Sequence, residues 1–247
     1  MPEGPSIVIA KELAAQFIGK TVIAATGNAK IDIPRVVNIK LDDIKTWGKH
    51  LLLCFDGFTI RIHFLLFGSY RINETKEKVS QLRLGLTFPN GEFNIYSAAV
   101  KLLEGNVNDH YNWAEDVMND NWDPDLAYKK LQEPLNKKKE ICDTLLEQDI
   151  FSGVGNIIKN EVLYRVFVHP QSITGKIPHS KQKEIIEQAR QYSFEFLEWK
   201  KAYELKKHWL AHGKSVCLRC NLPIYRKNTG VKKRRSFYCT NCQELYV

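Results

Sequence analysis

The sequence lacks any run of about 18 apolar residues, which is the length that a membrane-spanning helix requires. Its N-terminus, Met1-Pro2-Glu3-Gly4-Pro5, also lacks the basic and apolar regions of a secretory signal peptide. These absences argue against a membrane span and against secretion, so we expect a cytoplasmic protein. Apolar residues make up 44% of the 247 residues, which is enough to fill the cores of one or two domains.

Acidic residues are missing from one long stretch near the C-terminus. Between Leu205 and Gln243 the sequence has ten lysine and arginine residues and no aspartate or glutamate. The net charge of the whole chain is +8, so everything outside this stretch sums to −2. A basic terminal segment on an otherwise near-neutral chain is typical of a surface that binds a polyanion. A solvated charged face is the alternative, although such faces usually mix the two signs.

Cysteine is scarce, and four of the six cysteines form one pattern. Cys217 and Cys220 are followed after 18 residues by Cys239 and Cys242. Two Cys-x2-Cys pairs at this separation can supply four thiolates to one tetrahedral Zn²⁺, whereas disulfides would need an oxidising compartment. We predict a structural zinc, because about 30 residues cannot bury enough apolar surface to fold alone. The other two cysteines are predicted to fill core positions.

The first part of the chain predicts an antiparallel β-sandwich over residues 1–112. It begins with a helical pattern in which Ile9, Leu13 and Phe17 recur at helical spacing. Short β-branched and aromatic runs follow, and Asp56-Gly57 and Asn90-Gly91 are typical hairpin turns between them. The strands are predicted at 36–41, 51–55, 58–64, 82–88 and 92–96.

The second part of the chain changes to helical periodicity. A polar stretch at 113–125 predicts a linker, residues 126–205 predict a helical domain, and the cysteine module occupies 206–247. Helices are predicted at 126–131, 139–147, 157–166 and 182–206. The glycine-rich turn at 151–156 opens onto a helix N-terminus, where outward-pointing backbone N–H groups favour an anion. The predicted fold class is therefore α+β and multidomain.

Four motifs occur in a familiar order along the chain. They are Pro2-Glu3-Gly4-Pro5 at the N-terminus, Gly48-Lys49 before an apolar strand, Gly153-Val154-Gly155-Asn156, and the four-cysteine module with Arg234. In this combination the chain resembles the formamidopyrimidine-DNA glycosylase and endonuclease VIII family of base-excision repair enzymes, and Gly4-Pro5 is more similar to the endonuclease VIII branch. The resemblance implies a β-sandwich, a helical domain with a helix–two-turn–helix, and a C-terminal four-cysteine zinc finger β-hairpin.

The resemblance makes Pro2, Glu3 and Lys49 the candidate catalytic residues, and their chemistry agrees with this. After removal of Met1, Pro2 has a secondary amine, whose ordinary pKa of about 8 leaves a useful fraction unprotonated. Attack on C1′ of a damaged nucleoside expels the base and gives an iminium that cannot lose a proton from nitrogen, which favours elimination of the 3′ and then the 5′ phosphate. Glu3 can protonate the ring oxygen. The resemblance implies that Lys49 contacts a phosphate near the lesion and assists proton transfer.

Structural alternatives exist for each of these three residues. Pro2 can serve only to permit Met1 removal, and Glu3 can be an ordinary carboxylate in the first turn of a helix. Lys49 can be an edge-strand lysine that deters aggregation.

The candidate DNA-binding residues lie in three places. The resemblance implies that Asn156 and Arg234 bind phosphates, with Arg235 as an alternative to Arg234 and a plain surface arginine as the structural alternative. An enzyme that extrudes a base should also fill the vacancy. Leu65-Leu66-Phe67 matches a position at which the family carries such a filler, although these residues can equally be strand core.

The resemblance implies a bifunctional DNA glycosylase and AP lyase that holds damaged double-stranded DNA in a cleft between the sandwich and the other two parts. One structural Zn²⁺ is expected, and a monomer is sufficient. The short charged stretch from Lys200 to Gly213 favours oxidised pyrimidines, because it leaves little room for the long loop that covers a flipped purine in some relatives. Ser6 occupies the position at which the family usually has a glutamate near the damaged base, so it departs from the family pattern. The alternatives are an oxidised-purine glycosylase of this family and a non-catalytic protein that binds damaged DNA.

Overall fold

The computed structural model describes residues 2–74 and 79–247, which form two compact units. Unit 1 is Met1–Asn112 and unit 2 is Trp113–Val247. In the part of the chain that is described, no helix is long and apolar enough to cross a membrane. Residues 113–125, the predicted linker, belong to unit 2, and Val117 and Trp122 contribute to its core.

Unit 1 contains two four-stranded antiparallel sheets. The first has the order β2-β3-β4-β8 and the second has the order β1-β6-β7-β5. The strands are β1 Ala24–Thr26, β2 Asp43–Trp47, β3 His50–Phe55, β4 Phe58–His63, β5 Ser69–Ile72, β6 Leu82–Phe88, β7 Gly91–Tyr96 and β8 Ala99–Glu104. Tight turns join the central pairs. Phe55 pairs with Phe58 across Asp56-Gly57, as the sequence predicts, and Gly57 has a positive φ that glycine tolerates.

One apolar cluster joins the two sheets, because alternate residues of each strand point inward. Leu51 and Ile60 come from the first sheet, and Leu86 and Phe93 come from the second. Phe17 completes the cluster and stacks on Phe88 with ring centroids 4.6 Å apart. The predicted β-sandwich is confirmed.

The local predictions for unit 1 differ in outcome. The N-terminal helix is confirmed: α1 spans Gly4–Ala14 and continues as a 3₁₀ turn to Phe17. Its buried face follows Ile7, Ala10 and Ala14, so Leu13 is half exposed. Residues 36–41 form no strand, since Pro34–Val36 is a 3₁₀ turn. The β6–β7 turn is residues 89–90, one position before the predicted one, because Gly91 already pairs with Phe88.

Unit 2 begins with helices packed around a second apolar cluster. Asp123 caps the first of these helices by accepting hydrogen bonds from Asp125 N and Leu126 N, and Pro124 occupies its first turn. The longest helix, α6, contributes Ile185, Ala189 and other residues to the cluster. The helices are α2 Pro124–Leu131, α3 Pro134–Lys137, α4 Ile141–Thr144, α5 Asn156–Arg165 and α6 His179–Lys201.

The C-terminal part of unit 2 is a β-hairpin formed by β9 (Tyr225–Thr229) and β10 (Arg234–Tyr238). The residues that follow it return to the helical part of the unit. Gln243 Nε2 donates to Val168 O at 2.8 Å, and His169 N donates to Glu244 O at 2.8 Å. Backbone and side-chain hydrogen bonds therefore join the C-terminal segment to the helices. With two sheets in unit 1 and mainly helices in unit 2, the predicted α+β fold class is confirmed.

Candidate active site and nucleic-acid interface

Glu3 is the most unusual residue of the N-terminal segment, because its side chain is only 1% exposed. It occupies the N-cap position of α1 with extended backbone, and its carbonyl accepts the first helical hydrogen bond from Ser6 N at 2.8 Å. Pro5 is tolerated in this first turn because it needs no backbone donor there. An ordinary first-turn glutamate lies in solvent, so the burial of Glu3 beside half-buried Pro2 distinguishes this end of the helix.

Lys49 lies in the two-residue turn between β2 and β3, where Trp47 pairs with His50. Gly48 precedes it with a φ of +52°, which favours glycine at this hairpin position. Lys49 is therefore a turn residue and not an edge-strand residue. Helix α1 packs against both β2 and β3. The elements that carry Pro2, Glu3 and Lys49 are thus neighbours within unit 1.

Residues at the end of unit 1 brace the Lys49 turn, although no motif in the sequence indicates them. Trp47 Nε1 donates to Asn112 O at 2.9 Å, and the Tyr111 hydroxyl lies 3.3 Å from His50 Nδ1. The Tyr111 ring lies 5.1 Å from the Trp47 ring and 5.8 Å from the His50 ring. Contacts on both flanks of the turn therefore hold the backbone that carries Lys49.

Two histidines near Lys49 add no positive charge at neutral pH. Burial lowers the pKa of His50 to about 3, and the charges of Arg61 and Lys49 act in the same direction. Burial also lowers the pKa of His63, whose ring lies 5.4 Å from that of His50. Both imidazoles are therefore neutral near pH 7, and the positive charge of this region comes from Lys49 and Arg61.

Leu65, Leu66 and Phe67 form an exposed turn after β4, so the strand-core alternative is wrong for them. Phe67 is 83% exposed, and the two leucines are about half exposed. The turn is closed by a 2.7 Å hydrogen bond from Gly68 N to Phe64 O, and the backbone of Phe64 leaves no space for a Cβ at Gly68. Three adjacent apolar side chains in solvent are costly without a partner.

In unit 2, Asn156 is the first residue of α5 and follows the extended N-cap residue Gly155. Its amide is held on two sides. Asn156 Nδ2 donates to Arg235 O at 2.9 Å, and Asn156 Oδ1 accepts from Lys159 Nζ at 3.0 Å. The end of α5 is therefore tied to β10, the strand that carries Arg234.

Arg234 and Arg235 are the first two residues of β10, and only Arg235 is fully exposed. Two carboxylates of α4 and its N-cap hold the turn before them. Gly230 N donates to Glu140 Oε2 at 2.9 Å, and Val231 N donates to Asp143 Oδ2 at 2.6 Å. A Cβ on Gly230 would lie 2.3 Å from Asp143 Oδ1, so this close approach requires glycine.

The four predicted metal ligands come together, with their ligand atoms all within 4.8 Å of one another. The Sγ atoms of Cys217 and Cys242 are 3.8 Å apart, and those of Cys220 and Cys239 are 3.5 Å apart. A disulfide measures about 2.0 Å. Four sulfurs at about 2.3 Å around a tetrahedral ion lie about 3.8 Å apart, so the donor set fits a metal ion with four thiolate ligands.

Comparisons with known proteins agree with this architecture. Residues 114–202 match the model of the formamidopyrimidine-DNA glycosylase H2TH domain. Endonuclease 8-like 3 of Xenopus laevis is 24% identical over 91% of this chain and 38% of its own length. Formamidopyrimidine-DNA glycosylase of Carboxydothermus hydrogenoformans is 22% identical over 99% of this chain and 100% of its own length. The chain thus spans little more than a third of the endonuclease 8-like relative.

A solved structure is similar along almost the whole chain. It is Lactococcus lactis formamidopyrimidine-DNA glycosylase, non-covalently bound to DNA that contains an AP site. The TM-score is 0.85 at 20% identity, with 98% of this chain and 99% of that chain covered. At this identity the similarity establishes the fold.

Proposed function

We propose that this chain is a member of the formamidopyrimidine-DNA glycosylase and endonuclease VIII family and acts as a bifunctional DNA glycosylase and AP lyase of base-excision repair. The observation that carries the proposal is the buried Glu3 carboxylate directly after Pro2, on a helix packed against the strands that flank Lys49. A protein that only binds DNA has no need of a buried acid beside its N-terminal proline.

In the proposed reaction, the Pro2 nitrogen of the Met1-processed chain forms a bond to C1′ as the glycosidic bond breaks. The base leaves with the bonding electron pair and takes up the proton that the Pro2 amine loses. Glu3 donates a proton to the ring oxygen, which opens the sugar and leaves an iminium. The cationic nitrogen acidifies the C2′ proton, so that the 3′ phosphate and then the 5′ phosphate are eliminated. Lys49 stabilises phosphate charge near the lesion.

The DNA contacts follow from the surfaces described above. Asn156 and Arg234 bind the phosphate backbone, where Arg234 supplies a planar donor, and Arg235 remains the alternative. Leu65, Leu66 and Phe67 enter the space left by the extruded base, which accounts for their exposure. We propose that Cys217, Cys220, Cys239 and Cys242 hold one structural Zn²⁺, which supplies folding free energy to the hairpin and takes no part in the reaction.

Oxidised pyrimidines are the proposed substrate class. The stretch from Lys200 to Gly213 ends α6 and turns back through a 3₁₀ helix, Leu205–His208, against which Trp199 stacks. It forms no long free loop that would cover a purine. Cleavage of dihydrouracil duplexes should therefore exceed cleavage of 8-oxoguanine duplexes, and the opposite order would favour an oxidised-purine enzyme.

Borohydride trapping on a duplex with one abasic site tests the mechanism. Mass spectrometry of the adduct should place it on Pro2. The matched control retains Met1, so that its Pro2 nitrogen is an amide without nucleophilicity, and it should bind the duplex without forming a Pro2 adduct. An adduct on Lys49, or the absence of any adduct from folded, zinc-loaded and DNA-bound protein, would overturn the lyase proposal.

A further inference from the structure

Lys159 of α5 is completely buried, with a relative exposure of 0%. Lysine is among the residues that are least often buried, because removing an ammonium from water is costly unless it is paired and hydrogen-bonded. Lys159 is also the fourth residue of its helix. A cation near a helix N-terminus opposes the helix dipole. The burial of the ammonium and its position near the helix N-terminus are both unfavourable, so we expect its contacts to have a role that compensates for these costs.

The surroundings of the ammonium show what it does. Lys159 Nζ lies 2.9 Å from Ser236 Oγ, 3.0 Å from Asn156 Oδ1 and 3.4 Å from Arg235 O. Ser236 Oγ is in turn 2.6 Å from Thr229 Oγ1 on the neighbouring strand. The Lys159 ammonium is therefore held against the β-hairpin on one side and faces the Asn156 amide on the other.

This arrangement determines which way the Asn156 amide points. A lysine ammonium has only donors, so the amide atom that faces it must be the oxygen. Asn156 Nδ2 then faces the other way and donates to Arg235 O at 2.9 Å. The amide nitrogen carries a second N–H, which can donate to a phosphate oxygen. Without the ammonium, the hydrogen bond to Asn156 Oδ1 is lost and only the bond from Nδ2 to Arg235 O still favours this orientation, so the amide is held less firmly.

We infer that Lys159 is a positioning residue that fixes the orientation of the Asn156 amide and thereby presents its N–H to the DNA backbone. The inference rests on the proposed function, since it assumes that Asn156 binds a phosphate. Lys159 itself does not touch DNA in this role, because it is buried beneath Asn156 and β10.

A double-mutant cycle tests this inference on the full, zinc-loaded chain. The readout is the Kd for a duplex with one tetrahydrofuran abasic analogue, measured by fluorescence anisotropy at one salt concentration. Lys159→Met keeps the apolar stem and removes the donors, and Asn156→Ala removes the amide. Each change should weaken binding about tenfold, which is typical of a lost hydrogen bond to a charged group. The double variant should be no weaker than either single variant.

An Arg234→Ala background distinguishes positioning from general disruption. There, Lys159→Met should still weaken binding about tenfold, because Asn156 remains to be oriented. If the effect of Lys159→Met vanishes in this background too, the change disrupts the interface as a whole and the inference is wrong. Effects that multiply in the Asn156→Ala background, or an unchanged Kd for Lys159→Met, would also overturn it.

Two further measurements keep the test decisive. If Lys159→Met does not fold, Lys159→Arg replaces it, because its guanidinium, like the ammonium, has N–H donors and no acceptor. This variant should bind within about threefold of the unmodified chain, and a tenfold or larger loss from folded Lys159→Arg would contradict the inference. An unmodified chain that does not prefer the abasic-analogue duplex to an undamaged duplex would instead contradict the proposed function.

Discussion

Unit 1 and unit 2 bury different kinds of side chain. Among the described residues, three buried polar side chains belong to unit 1, namely Glu3, Thr59 and Asn94, whereas sixteen belong to unit 2. Unit 1 joins two sheets through one apolar cluster. Unit 2 places buried Lys159 and Glu161 on one helix and four thiol groups beside it. Stability therefore depends mainly on apolar packing in unit 1, and on polar contacts as well in unit 2, where the four cysteines could also hold a metal ion.

Removal of the proposed Zn²⁺ should show the difference between the two units most clearly, because it should destabilise unit 2 alone. Apparent zinc-binding free energies of about 10–16 kcal/mol are typical of small four-ligand modules. The Tyr164 hydroxyl of α5 lies 3.2 Å from Cys217 Sγ, so we expect chelation to loosen α5 as well as the hairpin. Hydrogen exchange followed by mass spectrometry should show faster exchange in unit 2 and unchanged exchange in the strands of unit 1. Full protection of α5 after chelation would contradict this coupling.

A substitution that opens a cavity in the sandwich should destabilise unit 1 and leave unit 2 unchanged. Phe17 is fully buried and stacks on Phe88 and Phe93, so Phe17→Ala should lower the free energy of unfolding of unit 1 by about 3–5 kcal/mol. Urea unfolding measures the loss, and hydrogen exchange locates it. Leu13→Ala is the matched control, because Leu13 is half exposed, and we expect a change within about 0.5 kcal/mol. Equal losses from the two variants would mean that Phe17 is not part of a tightly packed core.

The buried carboxylate of Glu161 offers a smaller perturbation of unit 2. It accepts backbone hydrogen bonds from Leu210, Ala211 and His212 at 2.7–3.0 Å. Glu161→Gln replaces one acceptor with an NH₂ group that opposes an N–H donor, which should cost about 2 kcal/mol of unfolding free energy. The exposed Glu187→Gln on α6 serves as the control and should be neutral. Thermal unfolding compares the two, and an equally stable Glu161→Gln protein would show that the charge is dispensable.

Mild acid should lower the stability of unit 1, because His50 is buried in its neutral form. Burial lowers the pKa of His50 to about 3, from an ordinary value of 6.5. Below pH 6.5 the unfolded state binds the proton and the folded state does not, so the contribution of His50 to stability is present above pH 6.5 and is lost as the pH falls. Between pH 6.5 and 5.5 the expected loss is about 1 kcal/mol.

Urea unfolding of unit 1 across this pH range, with and without His50→Gln, checks the His50 prediction. The substitution should make the stability of unit 1 less dependent on pH. The exposed His110→Gln is the control for the loss of an imidazole, and its free energy of unfolding at pH 7 should lie within about 0.5 kcal/mol of that of the unmodified chain. An identical pH dependence in His50→Gln and in the unmodified chain would exclude His50 as a source.

Features that local chemistry determines were predictable from the sequence. Residue type and spacing alone indicate the Asp56-Gly57 turn, the strand at 82–88 and the cluster of four cysteines. Residues 36–41 were wrongly predicted as a strand, because Pro34 and the 3₁₀ turn it begins outweigh the β-branched composition. The helix that begins unit 1 was predicted from the spacing of Ile9, Leu13 and Phe17, but this spacing alone does not show which of two apolar faces is buried, and Leu13 is half exposed.

The contacts that support the candidate site could not be read from the sequence, because they join distant positions. Lys159 reads as an ordinary charged residue in a helix, and only its contact with Ser236, 77 residues later, shows otherwise. Tyr111 and His50 are 61 residues apart. A motif in the sequence identifies the catalytic candidates. The residues that hold them in place can be identified only from the tertiary structure.

The return of the C-terminal residues to the helices has a consequence for folding during synthesis. Unit 1 precedes unit 2 in the chain, so it can fold while unit 2 is still being made. In unit 2, Ile173 N donates to Tyr246 O at 2.7 Å, and Val168 and Glu244 form a parallel bridge. The edge of the helices of unit 2 is therefore paired only after residues 244–246 have been made, and synthesis that stalls before them would leave a folded sandwich attached to an incomplete helical unit.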